Sequence, residues 1–127
     1  MPGIKDELET RETSRLISAS KVEGTSVYNR KGDKLGTVED IMIDKYTGQV
    51  GYAVMSFGGF LGIGHRHHPL PWQVLDYDEQ MGGYIVELDK KQLEGAPSYE
   101  ADADPNWEDR DWGKKVHDYY NVPPYWI

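Results

Sequence analysis

Apolar residues recur along this chain in short bursts, set apart by glycine, proline, asparagine and aspartate. The first burst, Leu16 to Ala19, reads as a short strand. Ser20 can cap a single helical turn through Lys21, Val22 and Glu23, which Gly24 ends. Thr25 to Asn29 is β-rich, and Lys31, Gly32 and Asp33 supply turn chemistry. In Leu35 to Asp44 the apolar positions are Val38, Ile41 and Ile43. The last two alternate while Val38 is out of phase, so a bulge near Glu39 or Asp40 is expected. Lys45 to Gly48 is the next hairpin turn. Gln49 to Phe57 carries Val50, Tyr52 and Val54 on one parity and Gly51, Ala53, Met55 and Phe57 on the other. Both parities are apolar or small, which places this strand centrally, with both faces covered.

Gly58 to Gly64 follows as a glycine-rich loop holding Phe60, Leu61 and Ile63. His65 to Leu70 returns to extended structure. Pro71 and Trp72 open a turn into Val74 and Leu75, and Trp72 is expected in the core at one barrel end. Asp78 to Gly83 is a polar turn, Tyr84 to Leu88 reads as the last strand, and Lys90 to Leu93 as one helical turn ended by Gly95 and Pro97. Strands at roughly 8–12-residue spacing, with no long amphipathic helix between them, predict an all-β barrel or sandwich.

The pattern changes at both ends. Residues 1–14 read as a flexible arm, with Ile4 and Leu8 as its apolar positions. Residues 98–127 form an acidic, aromatic-rich extension. Asp104 and Pro105 offer a helix start, with an acidic cap and proline at the first helical position. Trp112, Val116 and Tyr119/Tyr120 then mark one helix face, although Gly113 costs about 1 kcal/mol relative to alanine. The apolar end, Val122 to Ile127, is expected to pack. It either plugs its own barrel or crosses to a second copy, and the frequency of Tyr and Trp in interface cores and of two-fold dimers favours the second. The expected division is an arm at 1–14, a barrel domain at 15–97 and an extension with a short helix at 98–127.

From Arg15 to about Leu93 the chain resembles a PRC-barrel domain, on an ordered set of segments. Leu16-Ile17-Ser18-Ala19-Ser20 leads to Val27-Tyr28-Asn29. Gly32-Asp33-Lys34-Leu35-Gly36-Thr37-Val38-Glu39-Asp40-Ile41-Met42-Ile43-Asp44 follows, closed by Thr47-Gly48. Val50-Gly51-Tyr52-Ala53-Val54, then Gly58-Gly59-Phe60-Leu61-Gly62-Ile63-Gly64, then Pro71-Trp72 and Val74-Leu75 complete the set. The family includes the cytoplasmic barrel of the photosynthetic reaction-centre H subunit and the C-terminal domain of a bacterial ribosome-maturation factor. The resemblance implies a small, roughly six-stranded barrel that assembles with other proteins. The membrane helix of the one relative and the N-terminal domain of the other have no counterpart in these residues, so a stand-alone cytoplasmic form is expected. The reaction-centre subunit's proton-path acids lie outside the matching segments, and no quinone or proton role carries over.

Charge and composition narrow the function. The net charge is −8 and no basic run occurs, which disfavours direct nucleic-acid binding and docking on anionic lipid. The extension, at 98–127, holds seven acids and three bases. There is no cysteine, hence no disulfide or thiolate chemistry. No apolar run approaches the ~18 residues of a membrane span, and the N-terminal residues lack a signal peptide's apolar stretch.

Candidate chemistry is sparse. His65 and His67 share a strand face and could present two imidazoles to Zn or Ni, but a polar stretch leaving a loop explains them better, and no metal or other cofactor is expected. Gly59 to Gly64 has phosphate-loop spacing, yet His65 and Arg66 stand where Lys and Ser/Thr are required, and His67 stands where a dinucleotide fingerprint needs its third glycine. Asp102, Asp104 and Asn106 begin like a calcium loop but lack its glycine and distal glutamate. Ser56 lacks the glycine that opens a nucleophile elbow. Phe60 and Leu61 at a loop tip, and Trp112, Tyr120, Tyr125 and Trp126 in the extension, are instead candidate partner-binding residues. The reading is a non-catalytic, homodimeric protein-interaction barrel, with no membrane insertion. A ribosome-maturation accessory role or a ligand-binding barrel centred on His65 and His67 are the alternatives.

Overall fold

The computed structural model describes residues 13, 15–57, 66–103 and 105–126. Among them are seven strands: β1 (Ser26–Tyr28), β2 (Lys34–Ile43), β3 (Val50–Phe57), β4 (Arg66–Pro71), β5 (Asp76–Asp78), β6 (Gly83–Ile85) and β7 (Tyr99–Glu100). Three short helices accompany them, α1 (Ala19–Val22), α2 (Lys90–Glu94) and α3 (Arg110–Tyr119), with a 3-10 turn at Trp72–Val74.

The strands form one sheet in the order β5-β6-β1-β2-β3-β4-β7. All neighbours are antiparallel except β1 and β6, where Val27 lies beside Tyr84 and Tyr28 beside Ile85. The end strands β5 and β7 are not paired with each other. The mostly-β expectation therefore holds, but the closed six-stranded barrel gives way to an open seven-stranded sheet. Both end strands are too short to zip together, since β5 has three residues and β7 two. Tyr84 to Leu88 is also not the last strand. Its pairing stops at Ile85, and Tyr99 and Glu100 add β7 to the outer edge of β4, opposite His67 and Arg66.

Local chemistry explains most boundaries. The β2–β3 ladder shifts register between Val38 and Asp40, where the apolar phase breaks, and again between Met42 and Ile43. In the β2–β3 turn the Asp44 carboxylate accepts from the amides of Tyr46 and Thr47, and Gly48 takes φ +79°. α2 begins with a capping box, Asp89 accepting from the Gln92 amide and the Gln92 side chain accepting from the Asp89 amide. Two starts fall elsewhere than expected. Leu16 is 73% exposed and lies outside any of the strands. Ser18, not Ser20, precedes α1, and it makes no capping bond. α3 begins at Arg110 instead of after Asp104, because the Asp109 carboxylate satisfies the free amides of Asp111 and Trp112. That later start leaves Trp107 outside the helix.

The core inside the sheet is aliphatic. Val27, Met55, Leu70 and Leu93 are fully buried, with Val22, Leu35, Val38 and Val86 around them. Ala53 and Met55 of β3 face this cluster, while Tyr52 and Val54, of the opposite parity, are buried as well. β3 thus has both faces covered, as its two apolar parities require. Trp72 is only half-buried, its ring edge-on to Tyr84 at 5.5 Å. It rims the core instead of filling it.

Candidate docking surface

The C-terminal segment lies on the outer side of the sheet, with α3 against β4. Tyr52, at the centre of β3, meets the rings of His117 at 5.3 Å, Trp107 at 5.5 Å and Tyr125 at 5.7 Å. Trp126 sits edge-on to His117 at 5.4 Å, and the Arg110 guanidinium lies 5.5 Å from the Trp126 ring. Trp112 packs on Trp107 at 5.4 Å. Two glycines make room for this seam. A Cβ added at Gly51 would come within 3.1 Å of the Tyr125 ring, and one added at Gly113 within 2.8 Å of the Trp126 ring. The helix-weakening glycine of α3 is therefore a contact residue.

The candidate partner-binding residues divide accordingly. Trp112, Tyr125 and Trp126 join the seam within one chain. Tyr120 packs on the aliphatic core cluster, its hydroxyl enclosed without a hydrogen-bond partner. Burial, and then the neighbouring Tyr119, hold its phenol above the usual tyrosine pKa. Tyr52 is shifted the same way by burial and then by Tyr125. Dimerisation through these rings would require the segment to exchange between chains. Phe60, Leu61 and His65 lie outside the described residues.

Among the described residues no group of three or more His, Asp or Glu is placed to hold a metal ion. His67 is half-buried and edge-on to Tyr99 at 5.5 Å. The histidine that the sequence reading passed over is His68. It is 2% exposed, and neither ring nitrogen has a hydrogen-bond partner. Parity was the available signal, because His68 shares the inward face of β4 with fully buried Leu70. His117 is fully buried in the seam, with Nδ1 2.7 Å from the Gly113 carbonyl oxygen. Donation to that carbonyl fixes the proton on Nδ1.

A further apolar opening lies on the other end of the sheet. A groove of about 340 Å³ runs beside Trp72, walled by Leu16, Ile17, Leu75, Tyr77 and Tyr84, with Arg15 and Glu79 at its rim. Leu16 is 73% and Tyr77 41% exposed. Its flank is β5, the end strand of the sheet, which carries Asp76 and Asp78. Isolated apolar residues in a polar context gave no sequence signal for this groove. The cross-strand placement of Tyr77 beside Tyr84 creates it. Chemically it offers aromatic and aliphatic area with one charge of each sign, Arg15 and Glu79, at its edge. A second exposed apolar site is the β2–β3 turn, with Tyr46 90% and Ile43 50% exposed.

Comparison with known proteins gives one family. The model of the PRC-barrel domain matches residues 15–93. An uncharacterized protein of Deinococcus radiodurans is 30% identical over 79 residues, which is 62% of this chain and 28% of that protein. Among solved structures, a putative 16S ribosomal RNA processing protein, RimM, from Pseudomonas aeruginosa matches with a TM-score of 0.40 and 21% identity, over 63% of this chain and 49% of that one. The chain thus spans under a third of the relative and about half of the structure it matches. No helix among the described residues is long and apolar enough to cross a membrane.

Proposed function

This chain belongs to the PRC-barrel domain family, and on that premise we propose that it works in the cytoplasm as a non-catalytic docking module whose groove beside Trp72 receives a partner protein. The observation that carries this reading is the groove itself. It brings Trp72, Tyr77, Tyr84 and Leu16 together at an end strand of the sheet, and rings with a polar edge are the side chains that dominate binding energy at interfaces. The margin sets the partner's chemistry. One cation and one anion, Arg15 and Glu79, stand at its edge, so the complementary partner is an extended segment with apolar side chains flanked by charges of both signs.

A photo-crosslinking residue at position 16 tests this in cells. It should capture a specific protein that the same residue at exposed Lys34 does not, and Leu16→Glu should abolish co-purification of that protein. Equal labelling from both positions would overturn the reading. We also propose that the chain is homodimeric. A solution mass of twice 14.5 kDa by light scattering is the expected result, and a single-chain mass at all concentrations rejects it.

A further inference from the structure

We propose that His68 is an acid-sensitive latch: neutral, it lets α2, β7 and α3 close over the sheet, and protonated it releases them. His68 sits on β4 opposite Met55, edge-on to Phe57 at 5.5 Å and 88°. A neutral imidazole is tolerated in that apolar setting. An imidazolium would bring a charge and a second N–H donor into a buried site where neither ring nitrogen makes a well-formed hydrogen bond and only the backbone at Leu93 and Arg66 stands near enough to favour it.

The surrounding groups offset the charge only in part, through the backbone at Leu93 and Arg66. Its own strand supplies Arg66 and His67, which oppose a further positive charge. β3 supplies Met55 and Phe57, neither of which titrates. α2 presents the backbone of Leu93, while its Lys90, Lys91 and Glu94 are exposed. β7 brings Tyr99 beside His67, and exposed Glu100 opposite Arg66. Burial first, and Arg66 next, lower the His68 pKa from 6.5 to about 4, with the backbone at Leu93 and Arg66 softening the shift.

Release is local because the attachments are unequal. β4 pairs with β3 along its whole length, from Tyr52 beside Pro71 to Phe57 beside Arg66. β7 holds β4 through two residue pairs, and α2 is five residues long. The Tyr119 hydroxyl donates to the Gln92 carbonyl, tying α3 to α2, so the three elements move together. Their departure withdraws Leu93 and Ala96 from the core and uncovers Tyr52 and the outer face of β3, a surface accessible only in acid and separate from the Trp72 groove.

The sign follows from proton uptake. The released state binds the proton with the ordinary pKa and the closed state does so more weakly, so acid favours release. The opening constant rises by up to about tenfold per pH unit between 6.5 and 4, or about 20-fold from pH 7 to 5. Hydrogen-exchange protection of the full chain, corrected for intrinsic rates, reads this directly. Amides of residues 89–120 should lose about 20-fold protection over that interval, while those of β1, β2 and β3 hold. His68→Phe should remove the step, and His117→Phe should keep it. Direct NMR titration of the His68 ring in the unaltered chain gives a second reading, expected near the depressed value. A uniform loss of protection across all strands, an unchanged step in His68→Phe, loss of the step in His117→Phe, or an ordinary His68 titration would each overturn the latch.

Discussion

The two faces of the sheet are built from different chemistry. The inner face is closed by aliphatic side chains, with Val27, Met55, Leu70 and Leu93 fully buried, and all of them lie within the family match at 15–93. The outer face is closed by rings, Trp107, Trp112, Tyr125 and Trp126, from a segment beyond that match, several of them half-exposed. Aliphatic packing needs many elements converging on one interior. Aromatic edge-to-face contacts cover large areas with few residues, so a short acidic segment can be fastened by them alone. β3 is where the two meet, Ala53 and Met55 inward and Tyr52 outward.

If the inner face is the framework and the outer face a fastening, substitutions should scale accordingly. Leu70→Ala should cost about 2–5 kcal/mol and lower the urea midpoint for the entire chain. A loss confined to α3 would break the comparison. Acid should act next most strongly. The folded His68 pKa, about 4, lies below the ordinary 6.5, so stability is full above pH 6.5, declines as pH falls, and levels off below about 4. The loss is about 1.4 kcal/mol per unit and about 3 in total, read from urea midpoints at pH 7 and 4.5.

Trp126→Ala removes a half-buried ring and should cost about 2 kcal/mol, less than the roughly 3–5 of a fully buried one. Near-UV circular dichroism should lose aromatic signal while the backbone spectrum holds. Gly113→Ala sharpens the contrast through its sign. Helix propensity alone favours alanine by about 1 kcal/mol. The Trp126 ring 2.8 Å from the new methyl position should instead make it destabilising by about 1–2 kcal/mol. In a Trp126→Ala background the same substitution should cost less, with the Tyr52 hydroxyl, 3.2 Å from that position, as its remaining close neighbour. An equal cost in the two backgrounds would show that Trp126 does not occupy that space.

Much of the inner face was legible in the residues. The phase break at Val38 located a bulge, the double apolar parity of β3 placed it centrally, and Gly24 ended the first helical turn. Strand ends were less legible, because pairing partners decide them: β6 stops at Ile85 and β7 exists only because β4 offers an edge. Asp104-Pro105 was read as the helix start, yet the Asp109 carboxylate, which reaches two amides, prevailed. The outer face was half-read. Its rings were identified as contact residues, but whether they meet their own chain depends on Gly51 and Gly113, whose role as sockets no local pattern announces. The Trp72 groove was missed because Leu16 and Tyr77 come together from distant positions.

The central claim is that the aromatic segment closes the outer face of its own chain and leaves the Trp72 groove for docking. Filtered NMR on an equal mixture of isotope-labelled and unlabelled chains tests it most directly. The account predicts contacts between the Gly51 α-protons and the Tyr125 ring within labelled chains, and none between labelled and unlabelled ones. Cross-chain contacts between that glycine and that ring would contradict it.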